Sequence, residues 1–258
     1  MTTRRDPREL GGTWIEHQRH SFRAPAPELA DVIQGYWAAE WDYDTPYQQK
    51  IVPLPNVHLT VVDGGVPEVV GVASRHVIRV LEGRGRVVGA IFHPGAFRSY
   101  LGAPVASITA RIVLASEIPG LPPRPGTVDS IEDLEAWLLT SHVEPDQRGP
   151  QARDIVGLIR TEPTLGRVDT LAAATGLTVR QLQRLFAEYV GISPKWLLRR
   201  YRLHEVTERL AAGTPIDWSA LAADLGYADQ AHLSRDFADL FGEPPTAYAR
   251  RYPPPSGQ

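Results

Sequence analysis

The chain has 258 residues, a net charge of −3 and 43% hydrophobic residues, a composition typical of a globular protein with one or two domains. It contains no cysteine, which excludes disulfide scaffolds, thiolate zinc sites and cysteine nucleophiles. The sequence begins with charged residues rather than an apolar leader, and no apolar run approaches the ~20 residues of a membrane helix. We therefore expect a cytoplasmic protein with no membrane partner.

The N-terminal half has mainly the pattern of β structure. The β-branched run Val57–Val62 predicts a strand, and the segments 76–81 and 86–92 flank two glycines in the pattern of a β-hairpin. Apolar residues at helical spacing predict helices over 28–36, just after Gly95, and over 131–139. The proline-rich segment 118–128 is incompatible with a regular element, so we interpret it as a tether or a rim loop.

The pattern changes at 144–151, a polar stretch rich in Pro and Gly that we interpret as a linker after a first domain at 1–143. Helical spacing then continues, so 152–252 is expected to be an all-α domain, followed by a disordered tail at 253–258. Within this half, the segment from Thr178 to Arg202 contains six Lys and Arg residues and a single acidic residue, Glu188. Such a cluster can oppose phosphates even on an acidic protein.

The helical half contains an internal repeat. The ten residues from Val168 align with the ten from Trp218, and each copy has Leu-Ala near its centre and a glycine near its end. A short helix, a glycine turn and a second helix form the pattern of a helix-turn-helix, in which the glycine permits the sharp turn. The sequence therefore predicts two such units, at about 155–194 and 213–248, joined by an amphipathic helix at 196–211. The aligned positions further along are Phe186 with Phe237, Gly191 with Gly242, and Pro194 with Pro245.

The second helix of each unit has one apolar and one polar face. In the first copy, Thr178 and Gln181 fit a capping box, and Leu182, Leu185 and Phe186 are expected to face the core. Arginine side chains read guanine and glutamine side chains read adenine in the major groove, so the polar face has the chemistry of base recognition. The residues predicted to face outward are Arg180, Gln183 and Arg184 in the first copy and Gln230, Ser234 and Arg235 in the second.

The C-terminal half resembles a known family. Leu225–Phe237, followed by Gly242–Tyr248, resembles the C-terminal signature of AraC/XylS-type transcription regulators, and Gly176–Phe186 resembles their first helix-turn-helix. The resemblance implies two helix-turn-helix subdomains whose recognition helices enter successive major grooves, ~34 Å apart on one face of double-stranded DNA. It also implies base contact by the six outward residues named above. Residues implied to contact the DNA backbone are Thr178, Lys195, Arg199 and Arg202.

The second copy departs from the family in its charge. Between residues 214 and 243, Arg235 is the only Lys or Arg, and the acidic residues are Asp217, Asp224, Asp229, Asp236, Asp239 and Glu243. Because phosphate contacts supply the non-specific part of DNA affinity, we expect this half to contact fewer phosphates than the first. Asp229 alone has a further interpretation, as a helix cap.

Regulators of this type usually have a sensor or dimerisation domain first, and 1–143 resembles their β-barrel sensor domains more loosely. The resemblance implies an α+β chain with a barrel-like N-terminal domain, flanking helices and a small-molecule effector. Candidate pocket residues are Trp37, Trp41, His58 and His93, although packing in the core explains the aromatic residues better, because aromatic side chains at alternating strand positions need no ligand. The histidine spacing does not support a metal site. The stripe Ile131, Leu134, Trp137 and Leu138 fits either dimerisation or docking onto the barrel.

The sequence favours a DNA-binding transcription regulator over an enzyme. It has no Gly-x-Ser-x-Gly elbow, dinucleotide fingerprint or P-loop, and without cysteine it cannot perform the thiolate chemistry of methyl-accepting relatives. We therefore expect no catalysis and no cofactor. The expected partners are double-stranded DNA, an effector, a second copy of the chain and, if the protein is an activator, RNA polymerase. The alternative is a ligand-binding β-barrel protein with a weak or vestigial DNA module that acts through protein partners.

Overall fold

The structure is a computed structural model that describes residues 18–144, 146–162, 164–211 and 216–250. Within these residues a β-rich part precedes an all-helical part, as predicted, and no helix is long and apolar enough to cross a bilayer. The strands are β1 (Gln18–Arg23), β2 (Ile33–Ile51), β3 (His58–Val62), β4 (Glu68–Val70), β5 (Val77–Phe92) and β6 (Ile112–Leu114). The helices are α1 (Phe97–Leu101), α2 (Ile131–Leu139), α3 (Gly149–Thr161), α4 (Val168–Thr175), α5 (Val179–Tyr189), α6 (Pro194–Ala211), α7 (Trp218–Asp224), α8 (Gln230–Phe241) and α9 (Pro245–Ala249).

The six strands form one antiparallel sheet in the order β1-β2-β5-β3-β4-β6. Its edge strands in the described part of the chain, β1 and β6, do not pair with each other, so the sheet is open. The β-rich first domain is confirmed, but a closed barrel is not formed. The two longest strands, β2 and β5, are neighbours in the sheet and pair over most of their length.

Two predicted elements in this domain are wrong. The segment 76–92 is a single strand, β5, rather than a hairpin, because both of its halves pair with the same long partner, β2. Most of the helix predicted over 28–36 is absent, since a short 3-10 turn at Pro27–Leu29 and a turn over 30–32 lead into β2 from Ile33. The strand at 57–62 and the helices after Gly95 and at 131–139 are confirmed.

Helix α2 covers one face of the sheet. The four residues of its apolar stripe, Ile131, Leu134, Trp137 and Leu138, are buried, and the indole nitrogen of Trp137 donates a hydrogen bond to the carbonyl of Pro122 at 3.0 Å. The side chain of Arg23 on β1 pairs with Glu132 and Glu135 of the same helix at 2.8 and 2.7 Å. The apolar stripe of α2 therefore docks onto the sheet, which settles the choice between docking and dimerisation in favour of docking.

The first helix-turn-helix unit shares a hydrophobic core with the sheet. Residues of β2, β3 and β5 belong to the same cluster of buried side chains as those of α3, α4 and α5. Backbone contact reinforces this junction, since the amide of Gly95 donates to the carbonyl of Tyr189 at 3.1 Å. The segment 144–151, interpreted as a linker, includes the start of α3 at Gly149, which lies against Gly95.

The second helix-turn-helix unit packs around a separate core. This cluster contains residues of α6, α7 and α8 and a single side chain from the N-terminal half, Val52. Helix α6 joins the two cores, because Leu197 and Leu198 lie in the first and Leu203 and Val206 in the second. The tail predicted to be disordered, 253–258, lies outside the described residues.

Candidate nucleic-acid interface

The first helix-turn-helix has the turn and the cap that its sequence predicts. Gly176 ends α4 with φ +68°, a left-handed conformation that glycine adopts without steric cost. Thr178 then caps α5: its hydroxyl accepts from the amide of Gln181 at 3.2 Å, and its own amide donates to the Gln181 side chain at 2.8 Å. This reciprocal pair satisfies two amide groups that the helix itself cannot satisfy, so the start of α5 is fixed.

The two faces of α5 are oriented as predicted. Leu182, Leu185 and Phe186 are fully buried, with 0–1% of their surface exposed. On the opposite face Arg180, Gln183 and Arg184 are exposed, and the two arginines form no ion pair with any described residue. Their donor groups are therefore available to a ligand outside the protein, although base contact itself stays a prediction.

The second unit repeats this geometry. Gly226 adopts φ +73° between α7 and α8, and Asp229 caps α8 by accepting from the amide of His232 at 2.7 Å. The turn glycines Gly176 and Gly226 are 50 positions apart and the caps Thr178 and Asp229 are 51 apart, so the second copy has one extra residue in its turn rather than in its recognition helix. Gln230 and Arg235 are exposed and Ser234 is partly exposed, whereas Leu233 and Phe237 are buried. The outward set of the second copy is thus also oriented as predicted.

All six acidic residues of the second unit have a partner inside the protein. Asp217 and Asp229 cap α7 and α8, so their carboxylates accept hydrogen bonds from backbone amides. The other four form ion pairs: Asp224 with Arg209, Asp236 and Asp239 with Arg199, and Glu243 with Lys50. The negative charge of this unit is therefore largely engaged in holding its own structure together.

The four residues implied to contact the DNA backbone divide into two kinds. Thr178 and Lys195 are exposed. Arg199 pairs with Asp236 at 3.1 Å and Asp239 at 3.3 Å, and Arg202 donates to the carbonyl of Gly166 at 2.7 Å. Both arginines thus have partners within the protein, Arg199 on the second unit and Arg202 on the first.

A cleft of about 600 Å³ lies between the two units along α6. Its walls include cationic side chains from α6 and the start of α4, Val179 at the start of α5, and Tyr227 and His232 of the second unit. The guanidinium carbon of Arg202 lies 5.5 Å above the ring of Tyr227, so it spans the cleft from α6 to the second unit. The cationic residues at its wall are Arg167, Lys195, Arg199 and Arg202.

Three of the four residues proposed for an effector pocket share one face of the sheet, the face opposite α2. Trp37 and His58 form an edge-to-face pair with ring centroids 6.5 Å apart, and Trp41 lies four residues further along β2. His93 lies elsewhere, next to Arg153, where burial and then that guanidinium lower its pKa. Gly95, two residues after His93, bonds to Tyr189 of α5, so this segment contacts the helical part of the chain. His93 therefore does not belong to the aromatic face.

Sequence reasoning missed a polar group on this aromatic face. The side-chain amide of Gln18 donates to the hydroxyl of Tyr43 at 2.8 Å and to the side chain of Gln49 at 2.9 Å, and all three residues are buried. His20 bonds to Gln18 at 2.9 Å. No local motif links these residues, because they come together only through the pairing of β1 with β2.

Comparison with known proteins agrees with this geometry. A family model described as a helix-turn-helix domain matches residues 171–251, and one described as a domain of unknown function (DUF6597) matches residues 21–114. A probable AraC family transcriptional regulator from Rhodopseudomonas palustris CGA009 is 30% identical, with 40% of this chain and 96% of that chain covered and a TM-score of 0.35. The chain belongs to the AraC family. As a family member it is a DNA-binding transcription regulator.

Two other solved structures resemble this AraC-family chain. A transcriptional regulator with an AraC-type DNA-binding domain from Chromobacterium violaceum is 23% identical over 42% of this chain and 96% of that chain, with a TM-score of 0.37. ToxT from Vibrio cholerae is 10% identical over 93% of this chain and 100% of that chain, with a TM-score of 0.42.

Proposed function

We propose that the protein binds a specific DNA sequence through both of its helix-turn-helix units and that a small molecule bound to the N-terminal domain controls this binding. The observation that supports the first part is the exposed set of Arg and Gln side chains on two capped helices, α5 and α8. One continuous helix, α6, joins the two units and holds them in a defined relationship. The proposed function involves no catalytic step.

Base recognition is assigned to the six outward side chains, and phosphate contact to a smaller set than the family resemblance implies. Arg180, Gln183 and Arg184 present guanidinium and amide groups that match the acceptors and donors of guanine and adenine in the major groove. Thr178 and Lys195 are exposed beside them and are assigned to phosphate contact. Arg199 and Arg202 are assigned mainly to holding the two units together, because each has a partner within the protein.

The second unit is proposed to contact DNA despite its acidic composition. Its carboxylates cap helices or pair with cations, so they are partly compensated where they lie. The remaining outward residues at the start and middle of α8, Gln230, Ser234 and Arg235, have the chemistry of base contact. We keep the expectation that this unit contacts fewer phosphates than the first, since the face of α8 offers a single cation.

The effector is proposed to bind on the aromatic face of the sheet, over Trp37, Trp41 and His58. Indole and imidazole rings supply apolar surface, and the neighbouring Gln18 and Gln49 supply polar groups that could orient a ligand. His93 is removed from this proposal because it lies elsewhere in the structure. Dimerisation and contact with RNA polymerase also stay proposals, as does a location in the cytoplasm, where DNA is accessible.

A salt titration of DNA binding tests the proposal. The target duplex is first obtained by selection from a random library. Fluorescence anisotropy with this target and with a scrambled duplex should show affinity that falls steeply as salt rises, with a slope proportional to the number of phosphates contacted. Arg184→Ala should weaken binding to the target by about 1–3 kcal/mol and weaken binding to the scrambled duplex much less. Affinity independent of salt, or equal for both duplexes, would instead favour a protein that acts through protein partners.

A further inference from the structure

A second cavity, of about 160 Å³, lies where the N-terminal half meets the second helix-turn-helix unit. Three parts of the chain form its walls: the loop that precedes β5, helix α6, and the last turns of α8. The cavity is separate from the aromatic face of the sheet and from the exposed faces of α5 and α8. Its lining residues are Ser74, Arg75, Trp196, Arg199, Arg200, Asp239 and Leu240.

Arg200 is the unusual residue of this cavity. Only 2% of its surface is exposed, and its side chain is among the largest that the structure buries fully. Its Nε donates to the carbonyl of Pro53 at 3.0 Å, but its Nη1 is buried and has no hydrogen-bond partner among the described residues. No described carboxylate lies within ion-pair distance of it, in contrast to its neighbour Arg199.

A buried guanidinium without a counter-ion is unfavourable, because the loss of hydration is offset only in part by the remaining contacts. Burial lowers the pKa of Arg200 to about 10, so the group still has its charge at neutral pH. The carbonyl of Pro53 and the ring of Phe241, whose centroid lies 6.0 Å from the guanidinium carbon, supply partial compensation. The Nη1 donor of Arg200 is therefore unsatisfied, and the charge of its guanidinium is only partly compensated.

The side chains that line the cavity have a net positive charge. Arg75, Arg199 and Arg200 contribute cations, and Asp239 is the one acidic residue at the wall. Asp239 lies 3.3 Å from Arg199, so the pair largely cancels and the charge of Arg200 is left over. Arg75 is exposed at the rim, where it adds to the positive potential of the entrance.

We propose that this cavity is a binding site for a small oxyanion, a carboxylate or a phosphate, held by Arg200 with Arg75 at the entrance. Guanidinium groups match the oxygen atoms of carboxylate and phosphate in geometry as well as in charge. A cavity of about this size in another protein holds a benzene molecule, so the occupant is limited to an inorganic phosphate or a small organic acid. A nucleotide would not fit.

An anion at this site would affect the position of the second helix-turn-helix unit. The walls already meet through two hydrogen bonds across the junction, from Trp196 to the carbonyl of Ser74 at 2.7 Å and from Arg200 to the carbonyl of Pro53. An oxyanion held by Arg75 and Arg200 joins the loop before β5 to α6, the helix on which the second unit packs, and so favours the arrangement in which these parts are together. The proposal goes beyond DNA recognition and the aromatic-face effector, and it depends on neither.

Thermal unfolding of the full chain in the presence of inorganic phosphate or benzoate, against chloride at matched ionic strength, tests this proposal. We expect at least one of the two anions to raise Tm in a saturable way that chloride does not reproduce. Arg200→Met removes the charge but keeps an apolar stem, and Arg75→Glu reverses the charge at the rim. Both changes should abolish the saturable rise in Tm, and because Arg75 is exposed its variant remains informative even if Arg200→Met does not fold.

Two control variants separate this site from other cationic surfaces. Arg84→Glu changes an arginine whose side chain is 83% exposed on the sheet, and Arg184→Ala changes the DNA-reading face. Both should keep the full response to the anion, and Arg75→Glu should still bind the target duplex. A response that is absent for both anions in the natural protein, or that survives in Arg75→Glu and Arg200→Met, would overturn the proposal.

Discussion

Trp41 of β2 lies directly opposite Gly85 of β5, and its indole ring fills the space that a side chain at Gly85 would need. A Cβ atom built on Gly85 would lie 2.3 Å from the Trp41 ring, and the same relationship recurs between Gly89 and Trp37, at 2.5 Å. The two glycines therefore allow two large rings to lie flat against a neighbouring strand. Both rings lie on the face of the sheet that we assign to the effector.

Gly85→Ala is expected to destabilise the protein by about 1–3 kcal/mol, because the buried indole of Trp41 must shift to admit the new methyl group. Urea unfolding monitored by tryptophan fluorescence measures this change. Gly157→Ala in α3 is the matched control, since no atom lies within 4 Å of the added Cβ and alanine is the better helix former. It should leave stability unchanged or raise it by up to ~1 kcal/mol. Equal effects from the two changes would contradict the packing role of Gly85.

The same glycines explain why the N-terminal domain was predicted less well than the C-terminal one. The pattern around Gly83 and Gly85 is that of a hairpin turn, and only the pairing with β2 shows that Gly85 makes room for a ring. Pairing between strands distant in the sequence leaves no local periodicity, so Gln18 and Gln49 could not be linked beforehand.

The helical half was predictable because its determinants are local. The glycines after α4 and α7, the caps Thr178 and Asp229, and the two faces of α5 all follow from residues within a few positions of one another. The partners of the acidic residues were not predictable, since Arg199 and Asp239 meet only when α6 packs against α8. The domain limits at 143 and 152 stay predictions.

Asp229 provides a test of whether the acidic residues of the second unit serve its structure. Asp229→Ala should cost about 1 kcal/mol of unfolding free energy, because the amide of His232 loses its cap acceptor. Asp229→Asn keeps an acceptor of similar quality and removes the charge, so it should keep stability and bind DNA at least as tightly. Denaturant unfolding and anisotropy on the same samples measure both effects. A loss of stability in Asp229→Asn as large as in Asp229→Ala would argue against the capping role.

Lys195 and Arg199 provide a contrast between a phosphate contact and a structural cation. Lys195→Ala should weaken binding to all duplexes alike and reduce the salt slope of log K by about 1, with little effect on stability. Arg199→Ala should instead lower stability by roughly 0.5–1 kcal/mol, because it leaves Asp236 and Asp239 without their ion pair. Salt titrations and urea unfolding of both variants separate the roles. Identical behaviour of the two variants would show that the assignment is wrong.

Selection of bound sequences from a random duplex library, performed with the natural protein, Arg184→Ala and Arg235→Ala, tests the central claim most directly. We expect the natural protein to select two blocks of preferred bases whose centres lie about 10 base pairs apart, one for each recognition helix. Arg184→Ala should relax preference in one block only, and Arg235→Ala in the other only. If the natural protein selects no preferred sequence, or if both variants keep every preference, the exposed faces of α5 and α8 do not read DNA.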